Sequence, residues 1–307
     1  MAMETPERLI SREIKRLVPI LGKDNCRRLT MAWLMADEKT RERIVELVDV
    51  IKASTFAHKS TTDAILMEAP PREAASSGEI HFGNIMYGNI ELYPFMFKKQ
   101  NLLTHIGIFG SSGYGKTNIS YHLIREFSLK GIPVLVFDFS KRNYRDLLLT
   151  EIGESVDIFT CGRSIAPFKF NPIRPPPGVS ESQWMKEFAG IFDHAYWLLG
   201  GGKSIILKAL ESVCNEKEKP TMRDLRNWVT GFREGHISPR ERNWLATAQR
   251  SLDSLCFKEI GGMFECQQGI DISSFFDEGR VTVLELDALE TSDKAFFIEI
   301  LLQWLRN

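Results

Sequence analysis

The octapeptide Gly110-Ser111-Ser112-Gly113-Tyr114-Gly115-Lys116-Thr117 constrains this chain more than any other stretch. It fits G-x-x-x-x-G-K-[ST], a phosphate-binding loop that joins a strand to a helix. The run His105-Ile106-Gly107-Ile108-Phe109 before it reads as a short buried strand. Ile119, Leu123, Ile124 and Phe127 after it fall at helical spacing. Gly110, Gly113 and Gly115 let the backbone curl so that successive N–H groups point at phosphate oxygens. The helix that follows adds unpaired N–H groups and the positive end of its dipole. In such a loop Lys116 reaches the β- and γ-phosphates, and the Thr117 hydroxyl is a ligand for Mg²⁺. Residues 110–117 are therefore the expected nucleotide site, with ATP and Mg²⁺ as cofactors.

Composition limits the remaining choices. A length of 307 residues suggests about two domains. No apolar run approaches the ~20 residues that span a bilayer, and the polar, acidic start Met1–Glu7 is no signal peptide. The five cysteines, Cys26, Cys161, Cys214, Cys256 and Cys266, are scattered without a C-x-x-C pair. Reduced thiols are expected, and with them a cytoplasmic location away from membranes. A formal net charge of −1 does not announce nucleic acid. It does not exclude it either, because a ring needs only a locally basic channel.

Along the chain, residues 1–62 read as a helical N-terminal domain. Thr5-Pro6 is a cap and first-turn pair. Ile10, Ile14, Leu17, Val18 and Leu21 make one apolar stripe, stopped by Gly22. A second helix near Asp24 buries Cys26, Leu29 and Trp33, and a third carries Ile44, Leu47, Val48 and Ile51. Arg27 and Arg28 could contact DNA phosphates or be solvated on a packing domain. Residues 63–100 read as a linker with a Pro- and Ala-rich hinge, then short β structure from Glu79 to Phe97. The first part of an α/β core spans 101–160. It contains a second apolar strand, Ile132–Phe137, that ends at Asp138 and makes a βαβ unit with a parallel sheet. Residues 161–270 read as a helical insertion, with helical patterns at Trp184–Leu199, Ser204–Cys214, Met222–Val229 and Arg240–Leu255. The core resumes over 271–307 with a strand at Val281–Leu286 and a helix at Ser292–Leu305.

Other candidates are weaker. Gly200-Gly201-Gly202-Lys203-Ser204 imitates the end of a second phosphate loop, but Trp197 stands where its first glycine belongs, so a helix break and restart is expected. Cys256 and Cys266 have no histidine between them and make a poor metal pair. The basic run Arg233, His236, Arg240, Arg242 reads first as a solvated helix start. Nucleotide hydrolysis also needs acidic residues at strand ends to hold Mg²⁺ or its water. Asp138, Glu285 and Asp287 occupy such positions, and Asp138 is the expected catalytic and metal residue alongside Lys116.

Several stretches taken together resemble the HerA/FtsK superfamily, and HerA-like ATPases in particular, over roughly residues 79–307. They are "NLLTHIGIFGSSGYGKTN", "PVLVFDFSKRNYRDLL", "PFKFNPI", "EKPTMRDLRNWV" and "IDISSFFDEGRVTVLELDAL". The resemblance implies a RecA-like P-loop core, a hexameric ring, and ATP-driven translocase or helicase-type movement of double-stranded DNA, with a nuclease or other effector as partner. Three departures qualify it. Asn143 stands where the family usually has an acid, and a helical unit replaces the family's usual small β-barrel. The family's hydrolytic acidic pair lies on a strand beyond a helix like Phe296–Leu305, whereas this sequence ends at Asn307. The expectation is a piece of a longer protein, or a chain that binds ATP without efficient turnover. The alternative is a non-hydrolysing, nucleotide-dependent scaffold or regulatory module. A small-molecule kinase is disfavoured, because no lid with paired arginines is recognisable.

Overall fold

A computed structural model describes residues 6–56, 69–87, 90–139, 141–232 and 238–307. Thr5, Gly88, Arg233 and His236 lie outside the described residues. The chain divides into two compact units, Met1–Glu126 and Phe127–Asn307.

The first unit opens with four helical segments, α1 (Pro6–Arg16), α2 (Val18–Leu21), α3 (Lys23–Met35) and α4 (Glu38–Phe56). The expected first helix is split, because Pro19 has no N–H to continue the ladder and the turn closes at Leu17. Gly22, at φ 80°, then lets the chain restart as α3. Ile10, Ile14, Leu17, Cys26, Trp33 and Val48 form the core of this bundle. Leu47 does not join them: it is exposed, one residue round the helix from Val48. Arg27 and Arg28 are exposed as well. After the short α5 (Arg72–Ala75) come β1 (Ile80–Tyr87) and β2 (Ile90–Phe97), an antiparallel hairpin with two register shifts. Phe82, Phe95 and Phe97 pack edge to face on it. The helix α6 (Lys116–Leu129) follows the glycine-rich loop and buries Leu123 and Ile124.

The second unit holds the parallel sheet expected of the α/β core. Its strands are β3 (Val134–Asp138), β4 (Val156–Thr160) and β5 (Val281–Glu285), in the order β3-β5-β4. The central β5 is buried along its whole length, which explains its largely apolar reading, broken only by Thr282 and the terminal Glu285. Helices α7 (Glu181–Tyr196), α8 (Leu199–Glu216), α9 (Met222–Gly231), α10 (Pro239–Leu255) and α11 (Lys258–Phe264) separate β4 from β5, and α12 (Thr291–Arg306) follows it. Their starts are chemically marked. The Ser180 hydroxyl accepts from Gln183 N–H at 3.3 Å, and Thr221/Asp224 and Ser238/Glu241 form capping boxes. One core gathers Phe168, Trp184, Phe188, Phe192, Phe264 and Phe296. The Phe-Asn-Pro stretch is part of this framework. Asn171 donates to the Pro220 carbonyl at 2.9 Å and accepts from Ile173 N–H, while Trp184 donates to the Pro172 carbonyl.

Candidate nucleotide site

Residues 110–115 form an exposed loop between irregular chain and the first turn of α6. Gly113 and Gly115 have φ of 84° and 82°, a left-handed backbone that side chains resist. No atom lies within 4 Å of where a Cβ would stand on either residue. The glycines are thus required by backbone shape, and the space over them is open to a ligand. Lys116 folds back over the loop, its Nζ donating to the carbonyls of Gly110 and Ser111 at 2.7 Å each. This holds a positive charge inside the curl of the loop. Phosphate oxygens are stronger acceptors than neutral carbonyls and can take over the same donors. Thr117 stands in the first turn of α6, half-buried, while Ser111, Ser112 and Tyr114 are exposed. Loop shape, the captive ammonium and the helix start all suit a magnesium-bound nucleotide.

The expected strand before the loop is not formed. Residues 105–110 have no regular structure, and Ile106 and Phe109 are exposed. A strand exists only through pairing of its N–H and C=O groups. Among the described residues no ladder pairs with this run, so its apolar character alone does not make it a strand.

Asp138 lies in the second unit at the end of β3. The sheet register aligns it with Glu285 of β5, and Glu285 with Thr160 of β4, so three polar residues share the C-terminal edge of the parallel strands. In open parallel sheets this edge is where ligands bind. Asp138 is buried and accepts from Lys141 N–H at 3.2 Å. Arginines occupy the other two acids. Arg145 makes a two-pronged pair with the buried Glu285, at 2.6 and 2.7 Å. The Arg145 guanidinium has its pKa raised, chiefly by that hydrogen bond. Asp287 accepts from Arg142 at 3.1 Å and from Arg163 at 2.5 Å. Burial pushes the Asp287 carboxyl up, but the bond to Arg163 and the charges of Arg163 and Arg142 outweigh this and hold it below the ordinary carboxylate value.

These three arginines were not among the sequence candidates. A faint signal was present: Arg142 and Arg145 directly follow the acidic end of a strand. Their partners, about 140 residues on, cannot be read from local pattern. The expected helix break at Gly200–Ser204 is not found: these residues sit inside α8, and the break lies before them at Trp197, φ 55°.

Residues 80–177 match the protein family described as Helicase HerA, central domain. Among solved structures, VirB4 of Thermoanaerobacter pseudethanolicus is similar in fold, with a TM-score of 0.51 and 14% identity over 74% of this chain and 62% of that one. The conjugative coupling protein TrwB lacking its first 70 residues gives a TM-score of 0.46 and 15% identity over 62% of this chain and 48% of that one. The chain therefore spans less than two thirds of the length of either structure. No curated protein is significantly similar in sequence.

Proposed function

We propose that the chain carries a P-loop ATPase domain of the HerA/FtsK superfamily, with residues 80–177 as its HerA-type central part, that it binds ATP with Mg²⁺, and that it serves as one subunit of a ring-shaped, DNA-translocating motor. The observation that carries this reading is Lys116 held over the Gly110 and Ser111 carbonyls, beside two left-handed glycines. In this proposal the N–H groups of 110–115 cradle the phosphates, and Lys116 exchanges its carbonyl acceptors for β- and γ-phosphate oxygens. The Thr117 hydroxyl serves the metal. Bound Mg²⁺ supplies neutralisation of the phosphate charge. The proposed partners are further copies of this chain in a hexamer, double-stranded DNA, and an effector such as a nuclease, in the cytoplasm. Helices α1–α4 would belong to the partner-facing domain, proposed over 1–62, and 161–270 would be the insertion. Exposed Leu103 and Phe109 in the first unit, and Leu149 and Trp197 in the second, suit an assembling subunit.

A second reading is a nucleotide-dependent scaffold that turns ATP over slowly. What favours it is the engagement of Glu285 and Asp287 by arginines, which withdraws two strand-end acids from water activation. Light scattering with and without an ATP analogue, paired with phosphate release in the presence of double-stranded DNA, separates the two. Nucleotide-dependent assembly with DNA-stimulated, Lys116-dependent release supports the motor. Assembly without release supports the scaffold. A monomer at tens of micromolar under all conditions contradicts both.

A further inference from the structure

His81, His122 and Glu126 meet within the first unit, apart from the glycine-rich loop. One ring nitrogen from each histidine and one Glu126 carboxylate oxygen lie within 4.8 Å of one another, and all three residues are half-buried. His122 and Glu126 are four residues apart on α6 and so share a helix face. His81 comes from β1.

The neighbours of these side chains fix their chemistry. His122 Nε2 lies 2.8 Å from the His81 carbonyl oxygen. A carbonyl oxygen only accepts, so this nitrogen carries a proton. His81 Nε2 lies 3.4 Å from Asn84 Oδ1, and the Asn84 amide is oriented by donating to Glu91 at 2.7 Å. Glu126 Oε2 accepts from His81 N–H at 3.3 Å, and its other oxygen lies 3.8 Å from Arg125. The two imidazoles meet edge to face with centroids 5.4 Å apart. Two imidazoles and a carboxylate gathered this closely, with a ring N–H tied to a backbone oxygen, are the setting of metal-binding histidines.

We propose that His81, His122 and Glu126 bind a divalent transition metal, zinc by preference, that clamps β1 to α6. Two nitrogens and one carboxylate suit zinc, whereas Mg²⁺ and Ca²⁺ call for oxygen ligands throughout. Zinc–ligand bonds of about 2.0–2.1 Å place tetrahedral ligands about 3.3 Å apart. Side-chain rotation of the partly exposed histidines closes the present spacing, and water fills the fourth position. Because α6 carries Lys116 and Thr117 in its first turn, the clamp would fasten the phosphate-loop helix to the hairpin. The site does not depend on the nucleotide reading.

The test uses the full chain, stripped with EDTA and dialysed against Zn²⁺ or Co²⁺. Wild type is expected to retain about one zinc per chain, to melt at a higher temperature with zinc, and to give the visible bands of tetrahedral cobalt without thiolate charge-transfer absorption. Glu126→Gln keeps the side-chain shape, and both it and His122→Ala are expected to weaken zinc at least about a hundredfold with unchanged helical circular dichroism. If His122→Ala does not fold, Glu126→Gln decides. Wild type that retains no zinc, or Glu126→Gln that retains it as tightly as wild type, overturns the site.

Discussion

Arg145 clasps Glu285 through two guanidinium nitrogens, Nε to Oε1 at 2.6 Å and Nη2 to Oε2 at 2.7 Å. The pair links the turn after β3 to the central strand. Glu285 is 1% exposed, whereas the Arg145 side chain is 48% exposed. Removing the arginine leaves a buried carboxylate without its counter-charge. Breaking a fully buried pair costs about 3–5 kcal/mol, and the half-exposed guanidinium reduces this to about 2–3 kcal/mol. Arg145→Ala is therefore expected to lower the urea midpoint sharply, and adding Glu285→Gln in the same chain to recover much of the loss. Equal midpoints for wild type and Arg145→Ala would show the pair to be idle.

Asp287 gives the second unit a pH dependence of definite sign. Burial raises its carboxyl pKa, but Arg163 and Arg142 lower it further, so the folded value lies below the unfolded one. Its contribution is complete above the unfolded pKa of about 3.9 and is lost as pH falls through the folded value. Asp287→Asn should be less stable than wild type at pH 7. The gap should narrow as the pH falls below about 4, where the unfolded aspartate takes up its proton, and close once the pH is below the lowered folded value. A gap in urea midpoint that stays constant from pH 7 to 3 would mean the charge is not what stabilises.

Two neighbouring glycines of α8 should respond oppositely to one added methyl. A Cβ on Gly201 would stand 2.0 Å from Trp244 Cδ2, in the body of the indole, whereas one on Gly200 meets nothing within 4 Å. Gly201→Ala must displace Trp244 and is expected to cost about 1–3 kcal/mol. Gly200→Ala relieves the backbone entropy of a helical glycine and should stabilise by about 0.5–1 kcal/mol. Thermal denaturation of both variants checks the pair, and a shift of the same sign in each would contradict this packing.

What could be read from sequence follows the range of the interactions involved. The loop from Gly110 to Thr117 was legible because its chemistry is contiguous: glycines for the turn, then lysine and threonine at fixed offsets. The strand at Val281 and the helix over Thr291–Arg306 were legible because burial imposes period and length on them. The run Ile106–Phe109 misled because apolar character is shared by strands and by exposed irregular chain, and only pairing separates the two. Leu47 misled because helical spacing defines a face only to within about one residue. Glu285 looked like an open strand-end acid until Arg145, distant in sequence, was seen to hold it. His81 is separated from His122 by the rest of the hairpin, an irregular stretch and the phosphate loop, so no local spacing announces their meeting.

The central claim is that residues 110–117 hold the phosphates of a nucleotide through Lys116. It is tested most directly by calorimetric titration of wild type and Lys116→Ala with ATP in the presence of Mg²⁺. One charge-assisted contact to phosphate is worth about 1.5–3 kcal/mol, which corresponds to a roughly ten- to hundredfold loss of affinity in the variant. Circular dichroism should show the same helix content in both proteins. Saturable, magnesium-dependent binding in wild type with that loss in Lys116→Ala is the predicted result; equal affinity in the two proteins, or no binding in wild type, would contradict it.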